Sequence, residues 1–391
     1  MHLRSCACRR GFLHRPRDPK ARHGGPPRLH VKVMERKPLA CWTMALVRPV
    51  FLRSLWRSVQ RGGNGKAPVI AGHKLLYRCN LECSMCPFWR REDENLLTVE
   101  DEVRMMKALV RAGVSFLGFE GGEPLLRRDL PEILEEAHQR FHTSVVTNGW
   151  LLRNRIRDIA PHLDMVFVSL DGIGELHDRL RGIPGSFDKA VEGIRSARGR
   201  VPVAISSTIT NENMNDTEKV VALAQRLGVG VTFQVAYKYS TAENLTPAGQ
   251  KLRETLERLL ALKERGAPIL ESREYFTSVI NSWFRGTPWR CKPWMTMNVD
   301  PQGRVVLPCY TLREYGGTDY VWDVDVRKLW NSFDWAPYER CNKCALACYL
   351  EPSLFSYTNP TMIRERILEP IVAYLDSRME SERSDELPVL A

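Results

Sequence analysis

The sequence predicts an α/β fold organised on a parallel sheet. Three observations carry that expectation. From about Ala71 to Tyr237 short apolar runs alternate with stretches of helical period; the runs are continuously apolar, as in strands covered on both faces; and polar motifs fall just after the runs, where parallel sheets gather their sites. The expected strands are His73 to Arg78, Ser115 to Glu120, Thr143 to Thr147, Met165 to Leu170, Val203 to Thr208 and Val231 to Ala236. The helices between them include Val99 to Ala112, Leu130 to Arg140, Ser186 to Ala197 and Thr217 to Leu227.

The ends of the chain read differently. Residues 1–43 are rich in Arg, His, Pro and Gly without periodicity and are expected to form a disordered basic N-terminus, with Met34 or Met44 as the start of translation. Residues 44–66 are expected to form an amphipathic basic helix and linker: Val47, Phe51, Leu55 and Val59 recur every fourth residue, Arg48, Arg53, Arg57 and Arg61 supply charge, and Gly62-Gly63-Asn64-Gly65 follows. That helix suits either a membrane interface or a lid across the catalytic domain. Residues 1–66 hold 16 basic and 2 acidic side chains, whereas the remainder holds 41 and 44. Basicity confined to one end argues against a nucleic-acid enzyme, whose binding face needs Lys and Arg spread over it. No run approaches the roughly 18 apolar residues of a membrane span. Eight of the 11 cysteines fall in two groups rather than a disulfide pattern, which suits a reducing cytoplasm.

The first group is Cys79-x3-Cys83-x2-Cys86. On a straight helix its outer members would lie about 10 Å apart along the axis, so a loop closed by Pro87 is expected. Three thiolates can hold three irons of a 4Fe-4S cluster and leave the fourth open. Zinc prefers four ligands in paired Cys-x2-Cys spacing. Gly121-Gly122-Glu123-Pro124 follows the second strand; its glycines permit close backbone approach to a ligand, and Glu123 offers a carboxylate to an ammonium group.

With these residues in place the chain resembles a radical S-adenosylmethionine (radical SAM) enzyme, although Met85 stands where the family usually has an aromatic. The resemblance implies a partial (β/α)6 TIM-like barrel with parallel strands. It also implies that Cys79, Cys83 and Cys86 hold the SAM-binding 4Fe-4S cluster, that S-adenosyl-L-methionine binds the open iron, and that Gly121, Gly122, Glu123 and Pro124 receive its amine. Asn148 and Ser169, at the ends of strands three and four, are expected near the ribose and carboxylate, Arg181 on the carboxylate, and Thr208 and Asn211 near the adenine.

Residues 241–286 read as a helical bridge with Leu252, Leu256, Leu259, Leu260 and Leu262 as its stripe. Residues 287–352 hold the second group, Cys291, Cys309, Cys341, Cys344 and Cys348. Between the first two, Met295 to Leu307 alternates around Pro301-Gln302-Gly303, which predicts a hairpin that brings Cys291 and Cys309 together. Four converging thiolates fit structural zinc or a second, auxiliary 4Fe-4S cluster, and a fifth is left over. Here the spacing is similar to the twitch/SPASM-like extension of radical SAM enzymes, which implies the auxiliary cluster in a small C-terminal β-hairpin/helix domain. The radical SAM core is bounded at residues 67–240, and residues 353–391 are expected to be a C-terminal helix and tail.

The resemblance implies reductive cleavage of S-adenosylmethionine to a 5′-deoxyadenosyl radical that takes hydrogen from an unactivated carbon, with a ferredoxin- or flavodoxin-type electron donor. The layout of a basic segment (residues 44–61) before the barrel is similar to radical enzymes acting on membrane lipids, which would make the chain cytoplasmic and peripheral at the membrane. The alternatives are a peptide or protein maturase, a sugar dehydrogenase and, in another class, a non-enzymatic iron-sulfur electron carrier.

Overall fold

The computed structural model describes residues 66–287, 289–313, 317 and 319–354. The expected disordered N-terminus, the amphipathic basic helix and the C-terminal helix from Met362 lie outside them. Eight strands form one sheet in the order β6-β5-β4-β3-β2-β1-β7-β8. Strands β1 (Ile70–Lys74), β2 (Phe116–Glu120), β3 (His142–Thr147), β4 (Met165–Ser169), β5 (Val203–Ile209) and β6 (Gly230–Val235) pair in parallel. Helices α1 (Val99–Ala112), α2 (Leu130–His138), α3 (Leu152–Ile159), α4 (Glu175–Arg181), α5 (Ser186–Ala197) and α6 (Thr217–Leu227) make the crossovers. This is the expected partial barrel, a mostly parallel sheet that does not close on itself.

Local chemistry explains the helix bounds. Thr98 caps α1 by accepting from the Asp101 N–H, three acids occupy its first turn, and Gly113 at φ 105° ends it by donating back to Leu109 and Val110. Gly228 at φ 64° ends α6 the same way. Helices α3 and α4 were not among the expected ones: α3 is short and charged, and α4 is a seven-residue turn between glycines.

Strand β1 ends at Lys74, four residues before the expected Arg78. The apolar run Leu75-Leu76-Tyr77 that suggested more strand is buried, and its backbone still pairs with the chain leaving β2: Leu75 N–H donates to Glu120 O, and Leu76 O accepts from Gly122 N–H.

The two faces of the sheet differ. Ala71, Leu117, Phe119, Val145, Val166, Val168, Ile205, Val231 and Phe233 are fully buried against the helices. The alternate positions face the hollow of the barrel with Gly72, Gly118, Ser144, Ser169, Ser206, Thr208 and Gln234 together with the apolar Ile70, Phe116, Val146 and Phe167, all half-buried. Coverage of both faces, expected from the apolar runs, is therefore complete only on the outside; on the inside polar and apolar side chains alike are left half-buried.

After β6 the chain forms α7 (Gly249–Glu264) and α8 (Arg273–Arg285), two helices where one bridge was expected, with Leu252, Leu256 and Leu259 buried. The expected hairpin follows as β7 (Thr296–Val299) and β8 (Val305–Val306). Strand β7 pairs in parallel with β1, Gly72 opposite Asn298, so the C-terminal region continues the barrel sheet. Helices α9 (Val326–Ser332) and α10 (Ala347–Leu354) complete the described fold. Among the described residues no helix is long and apolar enough to cross a membrane.

A buried ion network braces the start of the sheet. Glu102 of α1, fully buried, lies 3.0 Å from His73 Nε2 and 3.0 Å from an Arg127 guanidinium nitrogen, and Arg127 also donates to Leu97 O and Asp129. Removing one member leaves an uncompensated buried charge, so Arg127→Ala is expected to lower unfolding free energy by about 3–5 kcal/mol in chemical denaturation. A loss below about 1 kcal/mol would show that the network does not brace the fold.

Candidate active site

The stretch holding Cys79, Cys83 and Cys86 is an irregular loop over the C-terminal end of β1, as expected. Its position is set by the paired glycines after β2. Gly121 has φ 150°, and a Cβ there would lie 2.3 Å from Leu76 O; one on Gly122 would lie 2.1 Å from Arg78 O. The close backbone approach expected of these glycines is thus to the cysteine loop itself. Gly122 N–H donates to Leu76 O at 2.7 Å and Glu123 N–H to Arg78 O at 3.0 Å.

Glu123 is fully buried and already supplied with donors: Leu125 N–H at 3.0 Å, Thr147 Oγ1 at 2.7 Å and Asn148 N–H at 2.8 Å. Burial raises its carboxyl above the usual range, while these hydrogen bonds oppose the shift. In the structure this side chain ties the end of β2 to the end of β3. Pro124, buried beside it, opens a 3-10 turn. Asn148 continues the linkage, with Nδ2 2.8 Å from Asn80 Oδ1 and 3.8 Å from Cys79 Sγ, while its Oδ1 accepts from Trp150 N–H.

The fourth strand leads to Arg181. Its guanidinium lies 2.6 Å from Asp171 Oδ2 and 3.7 Å from Cys83 Sγ, and its buried Nε has no hydrogen-bond partner among the described residues. Opposed charges keep it protonated despite burial. Ser169 is half-buried on the open face of β4. Thr208 donates its N–H to Asp171 Oδ1 at 2.7 Å, and its hydroxyl accepts from Gln234 Nε2 at 3.2 Å. Asn211 is exposed and joined by its N–H to Leu245 O. The built-in asparagine is Asn213, buried, with Nδ2 donating to Asp171 O and Thr208 O. His177 was likewise unforeseen as a site residue: its Nδ1 accepts from Asp171 N–H at 3.1 Å, and burial pushes its pKa down to about 3, so it stays neutral. An Asn two residues from a predicted one, and a His four residues before Arg181, were the signals available.

The loop thiols fit a metal cluster. Cys83 is buried and its two neighbours half-buried. Burial pushes Cys79 up to about 12 and Cys83 to about 11. Only a strong positive charge would hold such thiols as thiolates, and the donors already aimed at sulfur, Leu81 N–H at 3.4 Å from Cys79 and Arg181 beside Cys83, suit the charged form.

The hairpin brings the second group together. Cys291, Cys309, Cys341 and Cys344 line one small cavity with Trp289, Thr311 and Tyr349. Cys348 is not among the lining residues and is exposed. Phe88, two residues past Cys86, packs on Tyr310, next to Cys309, at 5.7 Å, and on Tyr239 at 5.8 Å. Aromatic side chains thus join the two cysteine groups.

Comparison with known proteins agrees with this geometry. The model of the Radical SAM superfamily matches residues 74–224, and that of a domain of unknown function, DUF3463, matches residues 231–368. The Fe-coproporphyrin III synthase of Methanosarcina barkeri is 33% identical over 168 residues, 41% of each chain, so this chain spans less than half of that relative. The PqqA peptide cyclase of Granulibacter bethesdensis is 25% identical over 299 residues, 69% of this chain and 78% of that one. The crystal structure of Streptococcus suis SuiB bound to S-adenosylmethionine superposes with a TM-score of 0.60 at 15% identity, covering 74% of this chain and 71% of the other, a likeness of fold. A family match across the same half-barrel that holds the cysteine loop shows that residues 74–224 of this chain are a radical SAM domain, followed by a further domain.

Proposed function

We propose that this enzyme acts on a polar substrate of peptide type. Cys79, Cys83 and Cys86 hold the 4Fe-4S cluster that takes S-adenosylmethionine, and Cys291, Cys309, Cys341 and Cys344 hold an auxiliary 4Fe-4S cluster. When bound, the first cluster and S-adenosylmethionine would supply the 5′-deoxyadenosyl radical that removes hydrogen from an unactivated carbon, with a ferredoxin- or flavodoxin-type protein as electron source. The chain's residues place and shelter that chemistry. Gly121 and Gly122 seat the loop, Glu123 and Asn148 fix its distance from β3, and Arg181 keeps an unpaired Nε that suits a carboxylate.

The observation that carries the substrate class is the hollow of the barrel. Its walls present Ser144, Ser169, Ser206, Thr208 and Gln234 among the apolar Phe116, Val146 and Phe167, and its rim the ion pair of Lys74 and Glu120 at 3.1 Å. An alkyl chain there would strip water from these groups and give nothing back, whereas a peptide supplies donors and acceptors. The similarity to a peptide cyclase over two thirds of the chain supports the same reading. The lipid reading rests on residues 44–61, outside the described structure.

Reconstituted anaerobically, the full chain is expected to release 5′-deoxyadenosine from S-adenosylmethionine, and Cys83→Ala to fall to background. No release from wild-type protein of confirmed cluster content would leave an electron carrier. Gly122→Ala, by forcing the loop off its seat, is expected to lose about four irons per chain in elemental analysis, with the auxiliary signal intact. Because the thiols must lose protons to bind iron and burial holds those protons on, iron loading is expected to strengthen as pH rises from neutral; a flat profile would contradict that. Deuterium is expected to enter 5′-deoxyadenosine from a deuterated peptide extract and not from a lipid extract, and the opposite result, with flotation on liposomes, would restore the lipid reading.

A further inference from the structure

The five C-terminal cysteines separate into four and one. Cys348 stands outside the cavity of the other four and is within electrostatic reach of Glu120 and Lys74 as well as Cys344 and Cys309. Glu120 and Lys74 end β2 and β1 on the face that looks into the barrel. Lys74 is nearly enclosed, its ammonium 4.0 Å from the centre of the Phe88 ring and 4.6 Å from that of Tyr310. The Glu120 side chain is 36% exposed against 5% for Lys74, so the reachable half of the pair is an acceptor.

Deeper on the same face lies an unspent donor. Asn298 of β7 is opposite Gly72 of β1 and only 3% exposed. Its Oδ1 accepts from Tyr349 OH at 2.9 Å, but its buried Nδ2 has no partner among the described residues. A Cβ on Gly72 would stand 3.5 Å from Glu120 Oε1 and 3.7 Å from Asn298 Oδ1, which places both groups over a glycine that leaves the space between them open. Buried polar groups in folded proteins are almost always paired, so this unpaired donor calls for an explanation.

We infer that Glu120, Asn298 and Cys348 form a subsite for a neutral amide of the substrate, with Asn298 Nδ2 donating to its carbonyl and Glu120 accepting from its N–H, and that Cys348 lines this subsite instead of binding iron. The inference rests on the polar-substrate reading above and makes it specific. A free carboxylate would meet Glu120, an alkyl chain would leave Asn298 unpaired, and an amide offers both partners in one plane.

The test uses the iron-loaded full chain. Cys348→Ser is expected to keep the wild-type iron content while Cys344→Ser loses about four irons; equal loss from both makes Cys348 a ligand and overturns the inference. Saturation-transfer NMR with N-acetylglycinamide as probe and decanoate as comparator is expected to show contact with the diamide, weakened about tenfold in Asn298→Asp, which turns the donor into an acceptor. Glu120→Leu serves as a second variant, and wild-type iron content certifies that each has folded. Unchanged diamide binding in both variants, or stronger transfer to decanoate, overturns the proposal. Diamide binding without deuterium transfer from any peptide would leave this subsite standing and remove the peptide reading.

Discussion

The site depends on backbone meeting backbone without side chains between. Where the chain leaves β2, Gly121 and Gly122 lie directly against the carbonyls of Leu76, Tyr77 and Arg78. Any Cβ there would overlap an oxygen that has nowhere to go, since Leu75 and Leu76 are fully buried beneath it. The cysteine loop has no regular structure of its own and owes its place to this contact and to the hydrogen bonds flanking it. Glu123 then carries the constraint across to β3 and Asn148 returns it to the loop at Asn80, a circuit of three strand ends closed within a few residues.

Beneath that circuit the barrel has two kinds of surface, each made for one purpose. The outer face spends its apolar side chains on the helices and supplies the core. The inner face mixes glycine, hydroxyls and an amide with a few apolar side chains left half-buried, and does not fill the space as a closed barrel fills its centre. Stability is thereby gathered outside and the interior is left for a guest.

Much of this was legible beforehand. Helices α1, α5 and α6 were placed to the residue, because a threonine cap, a preceding glycine or a terminal left-handed glycine marks their ends in the sequence itself. The cysteine loop and the hairpin were legible from spacing and from the Pro-Gln-Gly turn. Three things were not. Leu75 to Tyr77 read as strand because burial, and not strand geometry, is what an apolar run reports. The hollow escaped notice because Ser and Thr sit well in strands and look like ordinary members of a run. Asn213 acts through Asp171, distant in sequence on another element, and His177 through the Asp171 N–H, and neither stands out in the local pattern.

One strand pairing reaches beyond the site. Because β7 is laid along β1, the segment that enters the cysteine loop is flanked by β2 on one side and by the C-terminal half of the protein on the other. Were the chain cut after its sixth parallel strand, β1 would become a raw border of unpaired N–H and C=O groups, open to whatever strand came near. The two halves are therefore no modules to be exchanged at will: a lineage that lost or replaced the second would have had to cover that border anew.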